Sequence, residues 1–233
     1  MTDGAISANI AAIRAAIARA AAASGRSAAD VTLLAATKTQ PVDRIREAIA
    51  AGVDAAGENR VQEMLEKEGA YDGVPLHFIG RLQKNKVKFV VGRAALIHSV
   101  DSLELAELIS RRAEAQAIVQ DILLEVNIGE ESAKGGFLPD KLAYFAEKIA
   151  GLGHIRLRGL MCIPPVTARP EESIVYFSKM RQLFVDITPK IVDNDTMRIL
   201  SMGMSVDYAA AVACGSTLVR VGSGIFGSRA VRA

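Results

Sequence analysis

Ile6, Ile10, Ile13 and Ile17 recur at steps of four, three and four, which keeps them on one face of a helix. That regular stripe predicts an N-terminal helix packed on the body of the protein. Ser24-Gly25-Arg26-Ser27 then punctuates the chain. A different pattern follows. Val31-Thr32-Leu33-Leu34-Ala35-Ala36 is a short apolar run with β-branched members, the pattern of a buried strand. It opens at Lys38, and Pro41 cannot continue a strand ladder but suits the first turn of a helix.

The same alternation repeats along the chain. Strands are predicted at 31–38, 53–57, 76–79, 95–100, 121–128, 155–161, 197–201 and 217–221. Helices are predicted at 41–51, 60–69, 82–91, after Asp101, 139–150, 171–187 and 206–214. Asp101 is the expected cap of its helix, with Glu104 in the capping-box position. Strict alternation implies a parallel sheet, and eight units in 233 residues imply a closed barrel. The expected fold is one (β/α)8 TIM barrel with an extra N-terminal helix, a single domain over residues 1–233. A doubly wound open sheet is the alternative. No Gly-rich dinucleotide fingerprint follows the first strand to support it.

Composition narrows the function classes. Half the residues are hydrophobic, enough for a sizeable core, and a net charge of +2 selects no polyanionic partner. Cys162 and Cys214 form no CxxC pair, which fits a reducing compartment and no metal cluster. Arg14 and Arg19 interrupt the N-terminal apolar stretch, against a secretory signal. No apolar run is expected to span a membrane, and the expected location is cytoplasmic. Arg81, Lys84, Lys86, Lys88 and Arg93 read as a solvated basic face. With no interleaved aromatics to stack bases, nucleic-acid binding is not expected.

In such barrels the chemistry gathers at the C-terminal ends of the strands. Those ends are predicted to carry Lys38, Glu58-Asn59, His77, Asn127, Met161, Ser201 and Arg220. A lysine held against apolar walls loses hydration, which favours the neutral amine that attacks carbonyls to form an imine. The loops after the last two strands read Ser201-Met202-Gly203-Met204-Ser205 and Val221-Gly222-Ser223-Gly224. Both place hydroxyls and small residues just before a helix, where backbone N–H groups favour an anion. The two together predict a phosphate grip, since these loops frequently bind phosphate in barrels. Arg220 either pairs with a carboxylate such as Glu58 or Asp207 or aims at a ligand atom. With five donors and no acceptor, it would keep a pyridine nitrogen unprotonated. His77 is either a core histidine or a ligand contact. Met161 is either core or a thioether against an aromatic ring. Asn59 is either a helix cap or a pocket residue. Imine, phosphate grip and ring-nitrogen donor together describe pyridoxal 5′-phosphate. A sugar-phosphate aldolase would account for the first two only.

These residues fall in stretches that resemble a known family, the pyridoxal phosphate homeostasis proteins of YggS/PROSC type. The stretches are Ala36-Thr37-Lys38-Thr39, Gly57-Glu58-Asn59 with Val61-Gln62-Glu63, and His77-Phe78-Ile79-Gly80 with Leu82-Gln83 and Asn85-Lys86. Further on come Arg158-Gly159-Leu160-Met161, Leu200-Ser201-Met202-Gly203-Met204-Ser205, and Arg220-Val221-Gly222 with Ile225-Phe226-Gly227. The resemblance implies a barrel like the N-terminal domain of alanine racemase, with the cofactor held as an imine on Lys38. It implies Ser201, Ser205, Gly222 and Ser223 at the phosphate and Arg220 at the ring nitrogen. Asn59, His77 and Met161 would line the pocket. The implied role is buffering and delivering the cofactor to pyridoxal phosphate-dependent apo-enzymes, with effects on amino-acid and keto-acid balance and no established turnover. A monomer is expected. Ala56 departs from the family, which usually has an aromatic there; looser packing behind the second strand is the expected result. The alternative function is a small pyridoxal phosphate enzyme such as an amino-acid racemase. In alanine racemases the second acid–base group is a tyrosine from an additional β domain of the partner subunit. These 233 residues hold no such domain, and only Tyr208 is placed to substitute for it.

Overall fold

The computed structural model describes residues 5–167, 169–191 and 196–227. The ends of the expected domain, 1–4 and 228–233, lie outside them. Eight parallel strands close on themselves in sequence order, β1 pairing with both β2 and β8. They are β1 (Thr32–Ala36), β2 (Ala55–Glu58), β3 (Leu76–Phe78), β4 (Leu96–Val100), β5 (Gln120–Val126), β6 (Ile155–Cys162), β7 (Ile199–Ser201) and β8 (Leu218–Val221). The helices are α1 (Ala5–Ala23), α2 (Val42–Ala50), α3 (Val61–Glu66), α4 (Val87–Val90), α5 (Leu103–Glu114), α6 (Leu142–Ala150), α7 (Ile174–Ile187), α8 (Tyr208–Ala213) and α9 (Ser223–Phe226).

Successive strand residues point to opposite faces, which creates two cores. Outward-facing residues such as Leu160, Cys162 and Leu200 meet Phe177 and Met180 of α7 in the large outer core. Inward-facing residues fill the lumen in small clusters: Leu34, Ala55 and Leu218 with Ile79, and Leu96, Leu123 and Met161. The parity of β1 therefore sends Leu34, Ala36 and Lys38 to the inside of the barrel. One irregularity matters for that parity. Ile122 pairs with Leu157 and Leu123 with Gly159, so Arg158 is an extra residue and β6 is bulged. Gly159 has φ +152°, and a Cβ there would lie 1.8 Å from Ile199 O.

The expected isoleucine stripe is buried in full. Ile6, Ile10, Ile13 and Ile17 pack with Leu33, Val219, Val221 and Val212. α1 touches α2, α8 and α9, so it fills the outer ring where β8 meets β1. Asn9 donates to Ile225 O (2.9 Å), and Arg26 donates to the carbonyls of Val212 and Ser216. The membrane expectation needs correcting on one point. Ala5–Ala23 is long and apolar enough by composition to cross a membrane, because alanines fill the positions between its isoleucines and only Arg14 and Arg19 are charged. Its bulky side chains are engaged with the barrel.

Other local readings also shift. Ser102, not Asp101, caps α5, its Oγ accepting from Leu105 N at 3.4 Å. Asp101 instead accepts from the Ser102 hydroxyl. The segment 82–91 forms a 3-10 turn at Lys84–Lys86 and the single turn α4 instead of one helix, with Leu82, Val87 and Val90 buried. An aromatic does lie in the basic cluster: Lys86 and Lys88 sit over the Phe89 ring at 5.8 and 5.0 Å. Space left by Ala56 is not loose. Ala56 is fully buried, and Tyr71 packs in the same cluster with Ile45 and Ala70.

Candidate functional site

At the C-terminal mouth, a cavity of about 320 Å³ opens where the first and last strands meet. Ala36, Lys38, Thr39 and Gln40 wall one side, Met204, Ser205 and Val206 another, and Arg220, Gly222 and Ser223 the third. Its volume is at the lower end for small-molecule pockets.

The backbone on both sides of Lys38 is pinned. Thr37 Oγ1 donates to Glu58 Oε1 (2.7 Å), and Thr37 O accepts from Lys67 Nζ (3.0 Å). Thr39, at φ +62°, donates its N–H to Glu63 Oε2 (2.6 Å). Lys67 joins the two carboxylates, at 2.8 Å from Glu58 and 2.9 Å from Glu63. Against burial, which pushes it up, the Thr39 N–H and Lys67 hold the Glu63 carboxyl below its usual range. Glu58 is fully buried, and Tyr71 Oη donates to it at 3.1 Å. Burial and that carboxylate push the Tyr71 phenol up. Lys38 itself is exposed toward the cavity, so the apolar enclosure expected around it is not formed. The cluster presents a free amine from a fixed backbone.

The opposite wall suits an anion. Ser205 Oγ accepts from Gly222 N and Gly224 N, both at 3.1 Å. Two N–H groups at the start of α9 that hold a hydroxyl oxygen can hold an anionic one. Asp207 Oδ1 accepts from Met204 N (2.6 Å) and fixes the preceding loop, and Gly203 makes its turn at φ +91°. Ser223 is exposed at the rim.

Arg220 forms the floor. Neither expected carboxylate pairs with it: Glu58 is held by Thr37, Lys67 and Tyr71, and Asp207 by the loop. Its guanidinium donates to Ser201 O (2.9 Å), Ser201 Oγ (2.5 Å) and Cys162 O (2.9 Å). Arginine has five N–H donors, and three are used, so two remain for a ligand in the cavity that Arg220 lines. Burial pulls the Arg220 guanidinium down from its usual range, with Glu125 and Asp207 countering it. Burial likewise pushes the neighbouring Cys162 thiol up to about 12.

The structure thus gathers Lys38, Ser205, Arg220, Gly222 and Ser223 at one cavity. It places the other expected residues elsewhere. Ser201 is fully buried below Arg220, its Oγ between that guanidinium and His98, so it is not in the anion-binding wall. The inward parity of β7 puts it in the lumen. His77 is not at the C-terminal end of its strand. It lines a cavity at the opposite mouth with Thr32, Asp54, Pro75 and Thr217. β3 is three residues long, and Phe78, Ile79 and Gly80 continue the chain upward past it. Met161 packs in the lumen with Leu96 and Leu123. Asn59 follows β2 with its Oδ1 buried and without a hydrogen-bond partner. No role was assigned from sequence to Lys67, Glu63 or His98, although Glu63 falls in one of the family stretches. His98 left a signal as a polar residue inside an apolar strand, and Lys67 left none.

The barrel is of the class of the alanine racemase N-terminal domain, whose family model matches residues 5–230 of this chain. A relative from Aquifex aeolicus, described as a pyridoxal phosphate homeostasis protein, is 44% identical over 88% of this chain and 90% of its own. The chain belongs to the pyridoxal phosphate homeostasis protein family. Two solved structures are similar along nearly all of it. An unknown protein from Bifidobacterium adolescentis is 39% identical, with TM-score 0.91 and 97% of each chain covered. PipY of Synechococcus elongatus, solved with pyridoxal phosphate bound, is 32% identical, with TM-score 0.80, covering 95% of this chain and all of that one.

Proposed function

We propose that this protein binds pyridoxal 5′-phosphate in the cavity at the barrel seam and holds it as an imine on Lys38, acting as a carrier and buffer of the cofactor. The observation that carries this reading is the opposition of a free lysine to an anion-suited turn across one cavity, with two spare Arg220 donors on its floor. Lys38 supplies the amine, the Ser205–Gly222–Ser223 turn takes the phosphate, and Arg220 donates to the ring nitrogen and keeps it unprotonated. The pyridoxal phosphate-bound relative supports the same ligand class. We assign the activity to the cytoplasm, with pyridoxal phosphate-dependent apo-enzymes as recipients. Borohydride reduction of the loaded protein, followed by peptide mapping, tests the assignment. A pyridoxyl-phosphate mass on the Lys38 peptide is expected; label on Lys86 or Lys134 alone overturns it.

Ser223→Asp places a like charge beside the phosphate. Affinity for pyridoxal phosphate is expected to fall at least tenfold, about 1.4 kcal/mol. Affinity for pyridoxal without its phosphate should change much less. Equal titration curves for variant and wild type with the phosphorylated form would place the phosphate elsewhere.

Amino-acid racemisation is expected to stay below the ~1 s⁻¹ low end for ordinary enzymes. It needs an acid–base group on each face of the reacting carbon. Tyr208, the one tyrosine suggested for the second face, packs half-buried in the cluster under α1, outside the cavity wall. Chiral chromatography after incubation with L- or D-alanine reads this directly. Racemisation abolished by Lys38→Ala or Tyr208→Phe would establish an enzyme instead.

A further inference from the structure

A row of polar side chains crosses the lumen from one mouth of the barrel to the other. Arg220 Nη1 meets Ser201 Oγ at 2.5 Å, Ser201 Oγ meets His98 Nδ1 at 3.1 Å, and His98 Nε2 meets His77 Nδ1 at 3.0 Å. His98 and Ser201 are fully buried, and His77 is nearly so. The cavity site and the stability of the fold need only Arg220 to be held somewhere near the seam. They do not call for two buried histidines beside the apolar lumen residues Leu34, Leu96, Leu123 and Met161.

The direction of every bond in this row follows from its first member. Guanidinium only donates. Ser201 Oγ therefore accepts from Arg220, and its single proton goes to the remaining partner, His98 Nδ1. A buried hydroxyl proton without an acceptor would be costly. His98 must then carry its proton on Nε2 and donate to His77 Nδ1. His77 in turn carries its proton on Nε2, on the side away from His98. Both rings have to be neutral for this order to hold. Burial lowers His77 to about 4 and His98 well below the usual histidine range, with the His77 and Arg220 charges adding to the effect at His98. Neighbouring bonds in such a chain polarise one another, so the guanidinium is gripped more firmly than by one isolated hydroxyl.

We infer that His98 and Ser201 are positioning residues, which orient the Arg220 guanidinium so that its spare donors meet the ring nitrogen of the cofactor. This rests on the pyridoxal phosphate reading above and deepens it. Neither histidine lines the Lys38 cavity. They act through Ser201, and Ser201 acts through Arg220.

A cofactor analogue whose ring nitrogen is replaced by CH separates positioning from general support. Facing CH, a fixed guanidinium donor is left unpaired, so wild type should prefer the natural cofactor. Ser201→Ala and His98→Leu free the guanidinium, and that preference should shrink at least fivefold in each. Ser201→Thr keeps the hydroxyl and should hold the preference within twofold of wild type. Dissociation constants for both ligands, with thermal melts confirming the fold, give the ratio for each variant. Two different single substitutions are used so that failure of one to fold leaves the other to decide. Parallel loss of affinity for both ligands, with the ratio unchanged, means a structural role only and overturns the inference. A wild-type protein labelled at Lys38 that shows no preference also overturns it, together with the ring-nitrogen role of Arg220, while leaving the Lys38 imine and the carrier reading intact. A wild-type protein that binds neither ligand removes both.

Discussion

Lys38→Ala is expected to abolish the covalent adduct and to lower pyridoxal phosphate affinity at least a hundredfold, about 2.8 kcal/mol. The effect is large because, among the described residues, no other amine in the cavity wall can replace it. Residual binding should persist, since Ser205, Gly222 and Arg220 keep their positions without Lys38. The substitution also leaves the fold intact. Lys38 is exposed, and the contacts that fix this segment belong to Thr37 and Thr39. Absorption spectra with and without borohydride, together with equilibrium titration, measure both parts. An unchanged imine band in the variant would rule out Lys38 as the attachment point.

The second large effect concerns stability. Gly159→Ala should cost more than about 3 kcal/mol, in the range reserved for backbone clashes and core damage. A Cβ at Gly159 would lie 1.8 Å from Ile199 O and 2.7 Å from its carbonyl carbon, both main-chain atoms of the neighbouring strand. The φ of +152° adds strain for any L side chain. For a domain of this size the melting temperature should drop by roughly 10 °C. Gly153→Ala is the matched control, because nothing lies within 4 Å of a Cβ there and its φ is unremarkable. It should melt with wild type. If Gly159→Ala did too, the bulge would not be the reason for the glycine. Function should suffer with stability, because Cys162, three residues on, offers the carbonyl that accepts from Arg220.

Gly159 also marks where sequence reading stops. It was visible as part of a family stretch, but nothing in the chain said that a bulge required it. The barrel itself was legible, because each strand is a short apolar run closed by a turn and each helix has its own period. Lys38, Ser205, Arg220, Gly222 and Ser223 were legible as a site because strand order alone brings the first and last units together. Ser201, His77 and Met161 were harder. Their depth along the barrel axis depends on strand length, register and one bulge, and those are set by packing between strands. The roles of Lys67 and Glu63 were illegible for a related reason. Glu63 lies on α3 and Lys67 just past its C-terminal end, and only the tertiary approach of that helix to the Lys38 segment gives them a role.

The cavity straddles the seam where β1 meets β8, with Lys38 on one edge and Arg220 182 positions later on the other. A chain emerging from the ribosome holds its lysine long before it holds the other half of the site. Contacts of such long separation in sequence form late and slowly. A ligand that needs both edges is therefore a latch on the finished barrel. It is ignored by half-made chains and, by mass action, tightens the closed state against reopening as the free ligand rises above its dissociation constant.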